Sequence, residues 1–323
     1  MKYAADLLAP FLISISFTII LSPLLNYLQK KHIPKIISLI VLVVLSAIPV
    51  IVLGGYIITE AHDFATNFHS LSAQFDKAVG DFVLTLQDMG LSIDLADINN
   101  MLAKSNISEI IKNLASQSST QFSNIFLILF TVGFMLMESG FIRQKIEKIL
   151  SKSKINLEDG MEIISKINTY FIIKMKTSLA TALWVLVVLW FYEIHYFYLW
   201  AALAFFLNFI PVIGSIFAAL PPIILAMMDR GMTTALWVAL WYATINTVIG
   251  NILEPRIMGK GLGLSALIIF LSMTLWGWVL GPVGMILSVP LTMAMQFLFA
   301  QYKETEWIAL ILSDYGEKEK QIS

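Results

Sequence analysis

The sequence contains no cysteine, which excludes disulfide bonds, thiolate metal sites and cysteine nucleophiles. Charged residues are also scarce, at 13% of the 323 residues, whereas soluble domains carry about 25%. So few charges cannot cover the surface of a globule in water. The formal net charge is -1, so the chain lacks the excess of basic residues that a nucleic-acid-binding protein uses to contact phosphates.

Two long stretches, at 194–228 and 261–302, contain no Asp, Glu, Lys or Arg. One membrane crossing takes about 20 apolar residues, so each stretch is long enough for two segments. Each is interrupted near its middle by proline and glycine, at Pro211 and Gly214 in the first and at Pro282 and Gly284 in the second. Broken helices are tolerated at membrane depth only where protein or a water-filled cavity satisfies the freed backbone groups. In carriers, paired interruptions of this kind point to a substrate site.

Further apolar segments predict the fold class, which is an all-α polytopic transmembrane helical protein. Its two interrupted helices or re-entrant hairpins form an inverted-repeat-like pair, and a small extracytoplasmic helical insert interrupts the membrane segments. The predicted regions are an N-terminal helix pair at 1–59, the insert at 60–121, a membrane helix with a basic cytoplasmic helical connection at 122–176, a transport core at 177–302 and a cytoplasmic tail at 303–323.

The charges between the segments predict the topology. The insert carries eight acidic residues and three lysines, whereas residues 143–176 carry eight basic and four acidic residues. Because cytoplasmic loops accumulate Lys and Arg, the basic connection is expected inside and the insert outside. The N-terminus and the turn at 229–231 are then external, and residues 251–264 are internal. The two interrupted stretches therefore enter from opposite faces, as in an inverted repeat.

No motif in the sequence predicts an enzyme, a cofactor or a metal site. The pair Gly259 and Lys260 lacks both the upstream glycine and the following Ser or Thr of a phosphate-binding loop. Zinc-protease pairs, serine elbows and pairs of intramembrane aspartates are also missing from the sequence. We therefore expect a protein that is not an enzyme and that needs no cofactor.

Two amides lie inside apolar segments, Asn208 before the first interruption and Asn246 in the sixth segment. A buried amide without partners costs about 2 kcal/mol or more. Each must therefore bond the broken backbone, a neighbouring helix or a solute, and both helix contact and solute contact remain open.

Charged groups near the membrane are few. Asn251, Glu254 and Arg256 lie where the sixth segment ends. They form either a local ion pair at a proline-stopped helix end or a gate at the inner mouth of the second interrupted stretch. Lys174 and Lys176 begin the fourth segment, where long side chains are expected to reach the lipid headgroups.

Specific motifs in the C-terminal half resemble those of the autoinducer-2 exporter family of bacterial membrane proteins. They are LNFIPVIGS at 207–215 with LPP at 220–222, NILEPRIMGKGLGLS at 251–265, WGWVLGPVGM at 276–285 and VPLT at 289–292. The resemblance covers most of 170–302, whereas 1–169 match only in layout. It implies a multi-pass inner-membrane carrier, oligomeric, that exports the small furanone derivative autoinducer-2. Other members are linked to sodium or lithium–proton antiport.

One departure from the family concerns the start of the chain. Similar proteins usually begin with a further membrane helix ahead of the segment that contains Pro10 here. The external N-terminus predicted above is what remains when that helix is missing.

The predicted function is secondary export, without ATP, of a small polar solute. The residues expected to bind or gate it are Asn208, Pro211, Gly214, Asn246, Asn251, Glu254, Arg256, Pro282 and Gly284. One alternative is a sodium(lithium)–proton antiporter, although that chemistry usually requires a carboxylate near mid-membrane. Another is a membrane scaffold with the insert as its partner surface. The expected partners are the lipid bilayer, the solute, a coupling cation or proton, and further copies of the chain.

Overall fold

The computed structural model describes residues 2–48, 54–57, 59–60, 62–64, 66–67, 127–138, 157–211, 213–258 and 263–313. In these ranges the regular structure is helical, and the single β-bridge, between Leu264 and Ser313, belongs to no strand. Five of the described helices are long and apolar enough to cross a membrane. The predicted all-α polytopic class is therefore confirmed.

Besides short helical pieces between residues 54 and 67, the structure describes eleven helices. In chain order they are α1 (Lys2–Lys30), α2 (Lys35–Ile48), α3 (Leu127–Glu138), α4 (Leu157–Phe191), α5 (Phe197–Leu207), α6 (Ile213–Arg230), α7 (Met232–Ile245), α8 (Glu254–Met258), α9 (Ala266–Leu280), α10 (Pro282–Ala300) and α11 (Glu306–Leu312). A π-helical segment, Asn246–Leu253, joins α7 to α8. Most of the predicted insert, the connection at 139–156 and the tail beyond residue 313 lie outside the described residues.

The long helix α4 is the axis of the membrane domain. Its 35 residues rise about 52 Å, and it packs against α1, α5, α7, α8 and α10. The C-terminal half of α4 shares an apolar core with α5, α6 and α7, in which Leu189 and Val238 are fully buried. The N-terminal half shares a second core with α10, where Tyr170 contacts the cluster around Met293. Two separate apolar cores therefore meet along one helix.

A third apolar cluster joins the N-terminal helices α1, α2 and α3. Leu25, Leu42 and Leu136, one from each helix, are almost completely buried there. The hydroxyl of Ser14 in α1 donates to the carbonyl oxygen of Pro10 at 2.7 Å, which supplies a hydrogen bond inside the apolar surroundings.

Helices α5 and α6 form an antiparallel pair, the first hairpin, whose tip includes residues 208–211. Pro211 has no N–H to donate and disfavours helical backbone at Ile210, so α5, which ends at Leu207, cannot continue through the tip. A Cβ atom at Gly214 would overlap the carbonyl oxygen of Leu207, so the tip requires glycine at this position. The 11 residues of α5 rise about 16 Å, which is about half the hydrocarbon thickness. Helix α5 is therefore too short to cross a bilayer.

Helices α9 and α10 form the second hairpin, and its turn is much tighter. Gly281 alone reverses the chain, with a φ of 68° that side chains rarely adopt. Pro282 follows at the first helical position, which suits its fixed φ and missing N–H. A Cβ atom at Gly284 would overlap the carbonyl oxygen of Trp276, so the two arms approach each other closely at the turn.

The base of the first hairpin is held by polar contacts. His195 Nδ1 lies 2.8 Å from Asp229 Oδ2, and Arg230 pairs with Glu193. Glu60 Oε2 accepts a hydrogen bond from the Leu199 amide at 2.7 Å, which caps the first turn of α5. Burial raises the pKa of the Glu60 carboxyl, although the Leu199 hydrogen bond lowers it in part. The start of the predicted insert thus contacts the base of this hairpin.

Candidate functional site

The buried polar residues of α4 lie between the two apolar cores. Lys174, Thr177 and Ser178 follow one another on the same side of the helix and are all buried. Lys174 is about 26 Å from Phe191 along the axis, inside the candidate span Glu162–Phe191. A buried charge inside an apolar span is expensive unless it is paired.

Lys174 is paired with Glu254 at the start of α8. Its Nζ lies 2.6 Å from Glu254 Oε1, and the two side chains are only 8% and 13% exposed. The hydroxyl of Thr177 donates to Glu254 Oε2 at 3.3 Å. The expectation that Lys174 reaches the lipid headgroups is therefore wrong. Glu254 pairs across to α4 rather than with the neighbouring Arg256, which is exposed.

The same lysine contacts the tip of the first hairpin. Lys174 Nζ donates to the carbonyl oxygen of Asn208 at 3.2 Å, and Asn208 Nδ2 donates to Ser178 Oγ at 3.0 Å. The carbonyl groups at the end of a helix lack partners within it and carry partial negative charge, so a lysine placed there is stabilising. The predicted contact between Asn208 and a neighbouring helix is thus present.

A small cavity of about 20 Å³ lies beside this tip. Its lining comes from α4, the first hairpin, α7 and the π-helical segment, and consists of Thr181, Ala204, Asn208, Ser215, Ala218, Tyr242, Ile245, Asn246 and Gly250. The two amides predicted from the sequence, Asn208 and Asn246, therefore line the same cavity. The small residues Ala204 and Ala218 face it from the two arms of the hairpin.

Two features of the cavity wall come from residues that the sequence analysis missed. Tyr242 is 7% exposed, and its hydroxyl has no hydrogen-bond partner among the described residues. Gly250 leaves room for an amide, because a Cβ atom there would be 3.0 Å from Asn246 Oδ1. Both amide and glycine lie on the π-helical segment, and wide turns of this kind are frequent at functional sites. No sequence pattern marked Thr181 or Tyr242, and Ser215 appeared only as the last residue of the motif at 207–215.

The structure brings together only part of the predicted site. Asn208 and Asn246 line the cavity, Pro211 and Gly214 shape the hairpin tip beside it, and Glu254 pairs with the lysine that contacts Asn208. The remaining predicted residues lie elsewhere: Asn251, Arg256 and Pro282 are exposed, and Gly284 is buried in the second hairpin. Of the described residues that line the cavity, none belongs to the second hairpin.

A larger groove between α2 and α3 has a different character. It measures about 380 Å³ and is lined by Val43, Leu129, Phe130, Gly133, Phe134 and Met137. These side chains offer no hydrogen-bonding groups to a polar solute. The polar cavity beside Asn208 is therefore the better candidate site.

Comparison of the sequence with known proteins identifies the family of this chain. A family model described as AI-2E family transporter matches residues 1–304. The chain belongs to the AI-2E transporter family. The AI-2 transport protein TqsA of Escherichia coli strain K12 is 32% identical over 317 residues, which are 98% of this chain and 92% of TqsA.

Further relatives of this AI-2E member cover nearly its whole length. A protein of Haemophilus influenzae strain Rd, provisionally named as a transport protein, is 34% identical over 319 residues, or 97% of this chain and 92% of the relative. YhhT of Escherichia coli strain K12, also with a provisional transport-protein name, is 30% identical over 313 residues, or 96% and 88%.

Family membership establishes which class of protein this chain is. The chain is a multi-pass membrane transporter and not an enzyme, as the sequence predicted. The match extends from residue 1, although the sequence motifs that resemble the family were found only in 170–302. The names of these relatives support neither the antiporter nor the scaffold alternative.

Proposed function

We propose that this AI-2E family member is a secondary transporter that exports a small polar solute across the bacterial inner membrane without ATP. The candidate solute is autoinducer-2 or a related signalling metabolite, which the name of TqsA supports. The observation that carries the proposal is the polar site of Lys174, Glu254 and Asn208, with its cavity, inside an otherwise apolar span. Ionisable groups at that depth typically mark substrate or ion pathways.

The first hairpin provides the structural basis for transport in this proposal. Because α5 rises only about 16 Å, we propose that the hairpin enters the membrane and returns to the same face, with Asn208 near mid-depth. Irregular backbone at that depth is stable only where protein or a cavity satisfies it. Here Lys174 donates to the backbone carbonyl oxygen of Asn208, and Ser178 Oγ accepts from the side-chain amide of the same residue.

In this mechanism, Lys174 and Glu254 form the gate beside the cavity. The ion pair holds the hairpin tip against α4 through the bond from Lys174 to the Asn208 carbonyl oxygen. A polar group of the solute that enters the cavity exchanges hydrogen bonds with water for hydrogen bonds with the two lining amides, which keeps the free-energy cost of its desolvation small. Displacement of the tip from α4 would then open the site to one side.

Other parts of the proposal depend on the sequence. Asn251 and Arg256 are proposed to lie at the inner mouth, with the second hairpin forming the counterpart of the first through Pro282 and Gly284. We propose that the transport core predicted at 177–302 extends back to Lys174, since that residue contacts the hairpin tip. The proposal also includes an external insert, formation of a homo-oligomer and coupling to a cation or proton.

The decisive experiment replaces the amide at the hairpin tip. In Asn208→Leu the bond to Ser178 Oγ is lost and one polar wall of the cavity becomes apolar. We expect transport of autoinducer-2 into inside-out proteoliposomes to fall at least about tenfold, which corresponds to about 1.4 kcal/mol. Untargeted comparison of metabolites exported by cells with and without the protein would identify a different solute.

The control is the same substitution at an exposed amide of α1, Asn26→Leu, which should transport normally. Reconstituted amounts and unfolding temperatures of both variants are measured so that loss of protein is not read as loss of transport. Normal transport by correctly assembled Asn208→Leu protein would refute the site.

A further inference from the structure

We infer that the cavity beside Tyr242 is a subsite that binds one uncharged hydroxyl group of the transported solute. This inference rests on the proposed function, because it specifies the solute chemistry of the same site. It adds Thr181, Ser215 and Tyr242 as residues that determine specificity.

The size of the cavity sets how much of a solute can enter. A water molecule needs roughly 10–15 Å³ of such volume, and the cavity has about 20 Å³. A whole metabolite does not fit in this state, but a single group of the size of water does. The cavity therefore recognises one functional group of the solute, and the rest of the solute would occupy space opened when the hairpin tip moves.

The lining of the cavity determines whether the group that binds there can be charged. Five of the nine described lining residues carry a hydroxyl or an amide, and the other four are alanine, isoleucine or glycine. The five polar residues are Thr181, Asn208, Ser215, Tyr242 and Asn246. None of the described lining residues is charged, and Lys174 and Glu254, which meet beside the hairpin tip, pair with each other at 2.6 Å. An ammonium or carboxylate that entered would lose its hydration without gaining a counter-charge, which is strongly unfavourable. An uncharged group is therefore selected.

The hydroxyl of Tyr242 identifies the group as one that can form hydrogen bonds. Nearly all buried polar groups in proteins have a partner, and leaving one without a partner costs about 1–3 kcal/mol. The Tyr242 hydroxyl is buried with no partner among the described residues, although Tyr242 lines a cavity together with two amides. A solute hydroxyl can accept from the Tyr242 O–H and donate to an amide oxygen. A ketone can only accept a hydrogen bond, and a methyl group can neither accept nor donate one.

The test measures binding to the full-length protein in detergent by its thermal unfolding midpoint. The probes are xylitol, which is uncharged, xylonate, which is anionic, and 1-amino-1-deoxyxylitol, which is cationic, at matched ionic strength. We expect xylitol to stabilise most, because a charged probe can offer the cavity a hydroxyl but brings its charge close to a site without a counter-charge. In Tyr242→Phe, and in the isosteric Thr181→Val, the apparent affinity for xylitol should fall about fivefold to tenfold, as for the loss of one neutral hydrogen bond.

Each variant has a matched control. Tyr170 also has a buried hydroxyl with no partner among the described residues, but it lies in the second core and does not line the cavity. The hydroxyl of Thr244 donates to the Leu240 carbonyl oxygen at 2.8 Å and is likewise outside the cavity lining. Tyr170→Phe and Thr244→Val should therefore bind xylitol as the wild type does. If Tyr242→Phe fails to fold, Thr181→Val and its control carry the test.

Four results would overturn the inference. Three concern the probes: equal stabilisation by a charged probe, unchanged xylitol binding in folded Tyr242→Phe, and no stabilisation of the wild type by xylitol. The fourth is stabilisation by sodium over potassium that Tyr242→Phe removes, which would assign the cavity to a cation. Transport of autoinducer-2 is measured separately. If that transport is absent while the xylitol response follows Tyr242, the proposed solute is wrong and the subsite stands.

Discussion

The two hairpins are similar in sequence but differ at their tips. The tip of the first hairpin includes residues 208–211 and directs the amide and carbonyl groups of Asn208 toward α4. The second reverses at Gly281 alone and uses its polar groups internally. Trp276 Nε1 donates to Thr292 Oγ1 at 3.1 Å, and the Ser288 hydroxyl donates to the Met285 carbonyl oxygen at 2.8 Å.

This difference shows what proline and glycine do in such hairpins and what they do not do. In both hairpins, glycine permits close approach of the two arms, and proline lies where the backbone needs no N–H donor. Only the first carries an amide at the tip that meets buried polar groups on another helix. The shape of an interruption therefore comes from Pro and Gly, whereas its use as a site depends on the polar residue beside them.

Lys174→Met is expected to have the largest effect on stability and transport, because it removes the cation that holds the tip of the first hairpin. The carboxylate of Glu254 would remain buried without its counter-charge, a situation that typically costs about 3–5 kcal/mol. We expect a strongly lowered unfolding midpoint and no transport, measured on protein purified in detergent and in proteoliposomes.

The double variant Lys174→Met with Glu254→Gln is the control for charge burial. It removes both charges, so most of the stability should return, but transport should not if the pair is the gate. Lys176→Met, at an exposed position two residues away, should behave as the wild type in both measurements. Transport by the double variant at the wild-type rate would contradict the gating role.

An intermediate effect is expected from adding one methyl group at each hairpin turn. In both Gly214→Ala and Gly284→Ala the new Cβ would overlap a backbone carbonyl oxygen of the other arm, so each should lose about 1–3 kcal/mol of stability. Only Gly214→Ala should also lower transport per folded molecule, because only its tip contacts the polar site. Unfolding midpoints and proteoliposome flux, normalised to folded protein, separate the two effects.

Gly133→Ala is the matched control for these two variants. A Cβ atom there would be 3.8 Å from Val43 Cγ2, which is an ordinary contact, so neither stability nor transport should fall. If Gly284→Ala reduced flux per folded molecule as much as Gly214→Ala, the assignment of the site to the first hairpin would be wrong.

The smallest effect is expected from Pro282→Ala in the second hairpin. Pro282 is exposed and occupies the first helical position, where alanine adopts the same backbone with only a modest gain of freedom in the unfolded chain. The stability change should stay near 0.4–1 kcal/mol, roughly, and flux should change less than twofold. A large loss of flux without a stability change would restore Pro282 to the site, as the sequence first suggested.

The prediction of the fold succeeded where it depended on composition and on helix breakers. Long uncharged segments must be membrane helices, since backbone groups in lipid must be satisfied within the segment. Pro211 and Gly281 end helices through local geometry that needs no tertiary contact. The prediction failed for Lys174, because its position near the start of the apolar run at 175–192 suggested a headgroup contact, whereas α4 begins at Leu157 and continues through it.

The sequence by itself determined that this is an all-α membrane transporter, where its helices break, and that Asn208 and Asn246 needed partners. Those properties depend on local backbone preferences and on the cost of polar groups in lipid, which the order of residues already specifies. Only the tertiary structure decided that Lys174 pairs with Glu254, that the two amides share a cavity with Tyr242, and that the second hairpin stays outside it. These contacts join residues far apart in the chain, and their geometry follows from how α4, the first hairpin and α7 pack together.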